Sequence, residues 1–438
     1  MFYRKISKII EEYFESDDGR ILCIDGARQI GKSFIVRELS KRRFKNYIEL
    51  NMADDFAGER RFSNVRNKDD FYLQVSISDG NKLGSKDDTI IFIDEIQIYP
   101  ELLTLLKSLS LDGRYRYICS GSELGLAMSK TTLIPMGSIR EVKMYPMDFE
   151  EFLLANSVSE TAIGHMRDCF LERKMLDEAT HRNILYLFKC YLFVGGLPDA
   201  VKAFVEDKNV FKVKQIQSDI SRYYGDDASK YDREHKLKIK RIYEMLPSVM
   251  ENKVKRIRFN RIDGKQGERY DNYQDEFEYL ASSGIALSCK AITEPKFPLL
   301  QYSRKNLLKL YLSDVGLLSN ALFGPNVNAI LNDRSGVNLG AVYETASAQE
   351  LKCHGHELYY YDRKKVGEVD FLVDDYDELS IIPIEIKSGS DERNYKALPR
   401  LLEDANYRIS KAFVFSNERE VTTRGKIILM PIYYLLFI

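Results

Sequence analysis

The sequence predicts an α/β protein that opens with a parallel sheet covered by helices on both faces. Three observations carry this. Strand-like and helix-like patterns alternate over the first 160 residues. The run "TIIFIDEI" is apolar throughout before its acids, as a strand buried on both faces must be. The stretch "IDGARQIGKSFIVREL", Ile24 to Leu39, sets a glycine-rich turn between a strand pattern and a helix pattern.

In order along the chain, the strands of this first part are "RILCID", "NYIELN", "TIIFIDEI", "YRYICSGS" and "IREVKMYPM". Between and after them come the helical "KSFIVRELSKR", "ELLTLLKSLSL" behind Pro100, and "DFEEFLLA". From about Thr161 to Lys238 the pattern is helical: "HMRDCFLERKMLDEA", "HRNILYLFKCYLFV" and "DAVKAFVEDKNVFKVKQIQSDISRYY". Residues 239–330 hold short helices, the turn-rich "RIDGKQGERYDNY", and a strand pair "IALSCKAI" and "LLKLYLS". That order is compatible with a winged helix. The last part begins with the helix "AVYETASAQELKCH". Strands "ELYYYDR", "EVDFLVDD" and "SIIPIEIKS", a helix "ALPRLLEDAN" and a strand "KAFVFS" follow, which makes a second small α/β unit.

A length of 438 residues implies two to four domains at roughly 150 residues each. Hydrophobic content of 44% with 30% charged is globular. Lysine plus arginine number 65 against 66 acids, so any nucleic-acid contact has to come from a local patch. The six cysteines form no C-x-x-C pair, which argues against a disulfide framework or zinc ribbon and for a reducing compartment. Glu11 and Glu12 interrupt the N-terminal segment, so no signal peptide is read there. The apolar tail "IILMPIYYLLFI" has twelve residues, fewer than the ~20 a membrane span needs, and reads as a buried last strand. No membrane partner is expected, and the cytoplasm is the expected location.

"GARQIGKS", Gly26 to Ser33, fits G-x-x-x-x-G-K-S/T at every fixed position. Gly26 and Gly31 let backbone N–H groups turn toward phosphate oxygens. Lys32 is placed to reach the β/γ-phosphates, and the Ser33 hydroxyl to ligate Mg²⁺. The following helix aims its positive end at the anion. The expected nucleotide contacts are Gly26, Ala27, Arg28, Gln29, Ile30, Gly31, Lys32, Ser33 and Phe34, with ATP and Mg²⁺ as cofactors. In "IIFIDEIQ", Asp94 and Glu95 end a strand at the edge where ligands bind in open α/β sheets. Asp94 is expected to hold Mg²⁺ through water, and Glu95 to position the attacking water as general base. Ser120 and Ser122, at the next strand end, are candidates for contact with the γ-phosphate or that water.

"GARQIGKS", "IDEIQ", "SGSEL" and "YPMDFEEFL" together resemble the bacterial and archaeal AAA+-like P-loop ATPases whose AAA domain precedes a DUF4143 region. "FVGGLPDAV", "KLYLSDVGLL", "AVYETASAQEL", "GEVDFLVDD" and "IPIEIKSG" extend the resemblance in order over nearly the whole chain. It implies a P-loop NTPase parallel sheet with a helical lid, a winged-helix domain and a C-terminal restriction-endonuclease-like α/β domain. The matching boundaries are 1–160 for the AAA+-like core, 161–238 for the lid, 239–330 for the winged helix and 331–438 for the last domain. The resemblance also implies that Pro198, after Gly196 and Leu197, packs near the adenine. Gly137-Ser138 stand where the family has a Gly-Arg pair; Arg140 lies two residues on.

Asp370, Glu385 and Lys387 form a second constellation. Period-two geometry puts Glu385 and Lys387 on one face of a strand, and Asp370 would lie on its neighbour. Two carboxylates bind a divalent cation through hard oxygens, and a nearby lysine can position water. Glu344 on the preceding helix would complete the set. The order resembles the PD-(D/E)xK nuclease fold, with "EVD" in place of "PD". It implies Asp370, Glu385 and Lys387 as catalytic residues and Glu344, Asp370 and Glu385 as metal ligands. A solvated strand face is the plainer alternative.

Lys253 to Arg269 carries seven cations and two acids and is a candidate DNA-phosphate contact or a solvated face. His354 and His356 form H-x-H beside Cys353, read as a strand surface with no metal assigned. The expected function is Mg-dependent ATP binding and slow hydrolysis coupled to domain rearrangement, with DNA as the expected output. An ATP-gated switch with an inactive nuclease-like domain and an ATP-regulated metal-dependent nuclease are the alternatives. Homo-oligomerisation is left open.

Overall fold

The computed structural model describes residues 1–130, 137–227, 236–252, 255, 257, 262, 270–332, 338–388 and 395–438. The chain forms two compact units. The first comprises Met1, Tyr3–Tyr145 and Ser282–Gly284; the second comprises Phe2, Pro146–Ala281 and Ile285–Ile438.

The first unit is built on five parallel strands: β1 (Ile21–Asp25), β2 (Asn46–Asn51), β3 (Thr89–Asp94), β4 (Arg116–Gly121) and β5 (Ile139–Lys143). Their order is β2-β3-β4-β1-β5, so β1 and β3, adjacent to β4 on either side, send their loops to the same edge. Every residue of β1 and β3 is buried, which accounts for their unbroken apolar runs. The register pairs Ile24 with Ser120, Asp25 with Gly121 and Asn51 with Asp94. Polar residues at the ends of four strands therefore share one edge. The helix Pro100–Asp112 packs Leu102, Leu103, Leu106 and Leu109 into the core of the first unit. Pro100 starts it, where a missing N–H costs nothing, and Gly113 in the left-handed region ends it.

The second unit begins with helices and ends with an eight-stranded mixed sheet. Its helices include Phe149–Ala155, Glu160–Leu171, Glu178–Val194, Pro198–Asp207, Val210–Asp227 and Lys236–Glu251. Two segments read from the sequence as single helices are broken. Arg173 adopts positive φ and Asp177 caps a new helix through the amides of Ala179 and Thr180. Lys208 likewise turns left-handed, and Asn209 accepts from Lys212 N. A local side-chain cap outcompetes continued helix at both places. The first unit ends at Tyr145, earlier than the expected 160, because Phe149 and Phe152 pack against Phe188, Tyr191 and Phe204 of the second.

The sheet runs β12-β13-β11-β10-β9-β8-β6-β7. Its strands are β6 (Ala286–Ile292), β7 (Ser303–Leu312), β8 (Leu358–Arg363), β9 (Gly367–Asp375), β10 (Ser380–Ile386), β11 (Ala412–Ser416), β12 (Thr422–Arg424) and β13 (Ile427–Pro431). The strand pair assigned to a separate winged helix is the antiparallel hairpin β6–β7, and β6 pairs in parallel with β8. The expected boundary at 330 thus crosses one continuous sheet. The apolar tail divides into the buried strand β13 and the 3₁₀ turn Ile432–Phe437.

A buried carboxylate organises the helical part. Asp314 Oδ2 accepts from Gly196 N at 2.6 Å, and Oδ1 accepts from Leu317 N as the cap of the helix Val315–Phe323. The carbonyls at the end of Glu178–Val194 are met from the side: Lys214 Nζ donates to Phe193 O, and Gln217 Nε2 to Phe193 O and Val194 O. These contacts leave no room for side chains at the turn "VGGLP". A Cβ on Gly196 would lie 2.0 Å from Met147 O, and one on Gly195 would lie 2.1 Å from Asp314 Oδ1. Replacing Gly196 by Ala is expected to cost about 1–3 kcal/mol and lower the melting temperature by several degrees. Gly164→Ala, in a helix where a Cβ meets nothing within 4 Å, is the control and is expected to be neutral or mildly stabilising. Equal melting temperatures for the two variants would refute the close approach at Gly196.

Candidate functional site

The carboxyl edge of the first sheet gathers the residues of the glycine loop. Backbone geometry makes the loop. Gly26 leaves β1 at φ 156°, and a Cβ there would lie 2.2 Å from Met144 O. Gln29 and Gly31 adopt φ of 63° and 92°, the latter as the N-cap of the helix Lys32–Arg43. That helix points its N-terminus at the loop. Arg4, buried, holds the assembly from behind: its guanidinium donates to Ile30 O at 2.8 Å and Tyr145 O at 2.7 Å.

Lys32 is 5% exposed, and its Nζ donates to the carbonyls of Gly26 (2.7 Å) and Ala27 (2.8 Å). Burial lowers its pKa, while the charges of Glu95, Asp94 and Asp25 oppose that shift. Ser33 Oγ donates to Asp94 Oδ2 at 2.7 Å, and Ser120 Oγ donates to Asp94 Oδ1. Burial raises the Asp94 pKa and the two hydroxyls pull it back. Phe34, on the next position of the helix, is exposed.

Glu95 leaves β3 at φ 53°, an uncommon conformation for a residue with a side chain. Its Oε2 accepts from Gln97 Nε2 at 2.6 Å and lies 4.0 Å from an Arg28 Nη2. Ser122 Oγ joins this group, accepting from Arg28 Nε at 3.4 Å and Gln97 Nε2 at 3.3 Å. Gly121 packs close beside it: a Cβ there would lie 2.3 Å from Gln97 Oε1 and 2.8 Å from Leu124 Cγ. The sequence-predicted loop, Asp94, Glu95 and Ser120 are therefore brought together. Ser120 faces Asp94, while Ser122 faces Glu95 and Arg28. Arg4, Asp25 and Gln97 were not singled out. Asp25 is 1% exposed and accepts from Leu124 N, which ties β1 to the segment after β4. Gln97 stands within the quoted "IDEIQ", so a signal for it was present.

The residues Ser33, Asp94 and Glu95 offer hard oxygen donors beside a buried ammonium, a donor set that suits Mg²⁺ and a polyphosphate. Pro198 lies in the second unit, where it starts the helix Pro198–Asp207. Arg140 lies on β5 beside Leu22, and its charge reaches Asp18.

The second constellation lies within the second unit. Asp370 Oδ2 accepts from Ile386 N at 2.9 Å, which locks β9 to β10. Lys387 Nζ is 2.7 Å from Glu385 Oε1. Glu344 is ion-paired to Lys255 and accepts from Tyr311 OH at 3.4 Å. Lys309 on β7, 1% exposed, is ion-paired to Glu368 and was not anticipated. A lysine inside the apolar strand "LLKLYL" was its signal. Burial and then the Glu344 charge push Asp370 up to about 6. Burial and then the Asp370 charge push Glu385 up to about 8. Asp370, Glu385 and Glu344 thus share one electrostatic neighbourhood. Among the described residues, three groups with ligand atoms within 4.8 Å of one another occur at Asp148, Glu350 and His354. Of the basic stretch, Lys253, Arg256, Arg258, Arg261, Lys265 and Arg269 lie outside the described residues. His354, read as strand surface, is instead the C-cap of the helix Gly340–Cys353.

Residues 18–153 match the family model described as an AAA domain. Residues 185–327 match a domain of unknown function, DUF8612, and residues 339–435 match another, DUF4143. No curated protein matches the chain. Among solved structures it is similar to the Walker-type ATPase paby2304 of Pyrococcus abyssi, at 14% identity and TM-score 0.43, over 73% of this chain and 96% of that one. It is also similar to the S. cerevisiae Hsp104–ADP complex, at 13% identity and TM-score 0.28, over 64% of this chain and 38% of that one. No described helix is long and apolar enough to cross a membrane.

The acid pair makes a pH prediction. The folded pKa values of Asp370 and Glu385 lie above their usual 3.8 and 4.5. Below about pH 4 both carboxyls hold their protons in either state, and their contribution is fully present. As pH rises the unfolded chain releases them first, so stability falls between about pH 4 and pH 8. The loss is on the order of a few kcal/mol. Denaturant melts across this range should show the decline in wild type and a flatter profile in the Asp370→Asn/Glu385→Gln double variant. A wild-type profile that rises across the window would contradict the burial of these acids.

Proposed function

We propose that this chain, an AAA-domain protein of the P-loop ATPase class with a C-terminal DUF4143 region, binds Mg-ATP at the carboxyl edge of its first sheet and hydrolyses it slowly. The observation that supports this most strongly is the clasp of Ser33 and Ser120 on Asp94, beside the buried Lys32. The loop amides and the helix N-terminus bind the phosphates, and Lys32 moves its three N–H groups from the loop carbonyls to the terminal phosphate oxygens. Ser33 and Asp94 would hold magnesium, which would neutralise phosphate charge. Ser120 fixes the rotamer of Asp94. Glu95, oriented by Gln97 and within reach of Arg28, takes the proton of the attacking water. Positioning and charge supply most of phosphoryl-transfer catalysis, which is what this set would provide. The absence of a C-x-x-C pair among the six cysteines in the sequence favours a reducing compartment, the cytoplasm.

The crowding of Asp370 and Glu385 supports a second reading, in which the C-terminal region is a metal-dependent nuclease module that acts on DNA under control of the ATPase. Lys387 would orient water there, and Glu344 would first have to part from Lys255.

Calorimetry should show Mg-ATP binding by wild type and its loss, by more than about tenfold, in Lys32→Ala. Glu95→Gln should bind ATP and lose turnover by about two orders of magnitude or more. Unchanged affinity in Lys32→Ala rejects the site. Tight binding by wild type with no turnover, with or without DNA, would favour an ATP-gated switch. For the second reading, Asp370→Ala and Lys387→Ala should each abolish Mn²⁺- or Mg²⁺-dependent nicking of plasmid DNA; nicking that persists in both assigns it elsewhere.

A further inference from the structure

One short turn belongs to a different unit from the chain that flanks it. The turn Ser282–Gly284 runs from the last residue of the helix Gln274–Ser282 toward β6, which starts at Ala286. The chain up to Ala281 and from Ile285 onward is part of the second unit, yet Ser282–Gly284 is part of the first. Gly284 adopts φ 74°, the left-handed conformation that closes a helix and favours glycine. Its neighbour in the first unit is Ala27 of the nucleotide loop. A Cβ on Gly284 would lie 3.0 Å from Ala27 N and 3.6 Å from both Ala27 Cα and Ala27 Cβ. Ala27 is 2% exposed, so a side chain at Gly284 would press on a residue already enclosed.

Ala27 is where a nucleotide would be felt. Lys32 Nζ donates to Gly26 O at 2.7 Å and to Ala27 O at 2.8 Å. Gly26 O and Ala27 N belong to one planar peptide unit and move together. Lys32 therefore holds one edge of that plane, and Gly284 packs near the other. When Lys32 turns its N–H groups to a phosphate, Gly26 O loses this donor, and the plane that faces Gly284 is released. On the far side of the turn, Ile285 O accepts from Ser313 N at 3.2 Å. The next residue, Asp314, is the buried carboxylate that holds Gly196 N.

We propose that Gly284 is a positioning residue for the nucleotide loop, and that its turn carries the occupancy of that loop to β6 and Asp314. The inference rests on the reading of the first sheet edge as a Mg-ATP site. Gly284 sets where the Gly26–Ala27 peptide can lie, and so the direction of the loop amides that follow it. A Cβ there tilts that plane and weakens the grip on phosphate. Coupling between two places is reciprocal, so ATP in the loop must also change the freedom of the turn.

The test titrates full-length protein with Mg-ATP by calorimetry, at a temperature where circular dichroism shows every variant folded. Gly284→Ala and Gly284→Asn should each bind at least about fivefold more weakly than wild type. The KM for ATP should rise to match while kcat stays nearly unchanged, as for a loss of uniform binding. Asparagine tolerates the left-handed region, so Gly284→Asn should melt higher than Gly284→Ala without regaining affinity. Gly113→Ala is the control: it carries the same strain at φ 60°, its Cβ would meet nothing nearer than 3.9 Å, and it should keep wild-type affinity. Hydrogen exchange needs no Gly284 variant. Saturating Mg-ATP should slow the amides of residues 283–287 in wild type and leave them unchanged in Lys32→Ala. Three results would overturn this inference and spare the site: wild-type affinity in both Gly284 variants, an equal loss in Gly113→Ala, or unaltered exchange at the turn of ATP-bound wild type. Wild type that binds no Mg-ATP would overturn the site and the inference together.

Discussion

Two hydroxyls, one from the helix after the glycine loop and one from β4, close on the carboxylate of Asp94. This clasp makes one site of three separate stretches of chain. A carboxylate taken out of water is costly unless its oxygens are met, and here both are met by groups a nucleotide site would use. Ser33 is fixed to Asp94, so the first turn of its helix is fixed too, and with it the direction of the loop amides. Gly26 allows this by letting the backbone pass against Met144 O, where any side chain would collide. Arg4 then holds the outer face of the loop by its Ile30 carbonyl. The edge is preorganised from both sides.

The second unit meets the same constraint with different partners. Asp314 is satisfied by backbone amides, and burial still lifts it to about 6. Asp370 also has an amide, yet the neighbouring Glu344 adds to the effect of burial. Lys255, Lys309 and Lys387 supply compensating charge from three separate stretches of chain. Such a network is stable only while each member keeps its partner. Glu344 and Glu385 are thus already paired with Lys255 and Lys387, and any metal chemistry there must begin by parting those pairs.

Much of this was legible in the residues. The five strands of the first sheet were, because buried parallel strands read as apolar runs and their acids fall at the ends. The loop was, because G-x-x-x-x-G-K-S is a local pattern with a local cause. Arg4 and Asp25 were not, since their partners lie more than twenty residues away and an isolated charge gives no hint of what it will meet. The helix breaks at Arg173 and Lys208 were hidden for another reason. Neither place has the Gly or Pro that usually marks one, and the work is done by Asp177 and Asn209. The hairpin β6–β7 was found, but not its partner β8, because strand pairing across more than sixty residues leaves no trace in periodicity.

His354 shows how a pattern can point to the wrong neighbour. In the sequence its nearest metal-like companions are Cys353 and His356, and H-x-H suggests alternate positions on a strand. The helix runs to Cys353 instead, so the residue that shares its face is Glu350, four positions back. The third member, Asp148, comes from two hundred residues away, brought in because Glu350 itself binds the amide that follows Asp148. One carboxylate therefore has two tasks: it caps the helix that carries Asp148, and it turns its second oxygen to the imidazole. Removing the Glu350 carboxylate would release the Phe149 amide and the approach to the imidazole together, and removing the His354 ring would also release its bond to Ile438 O.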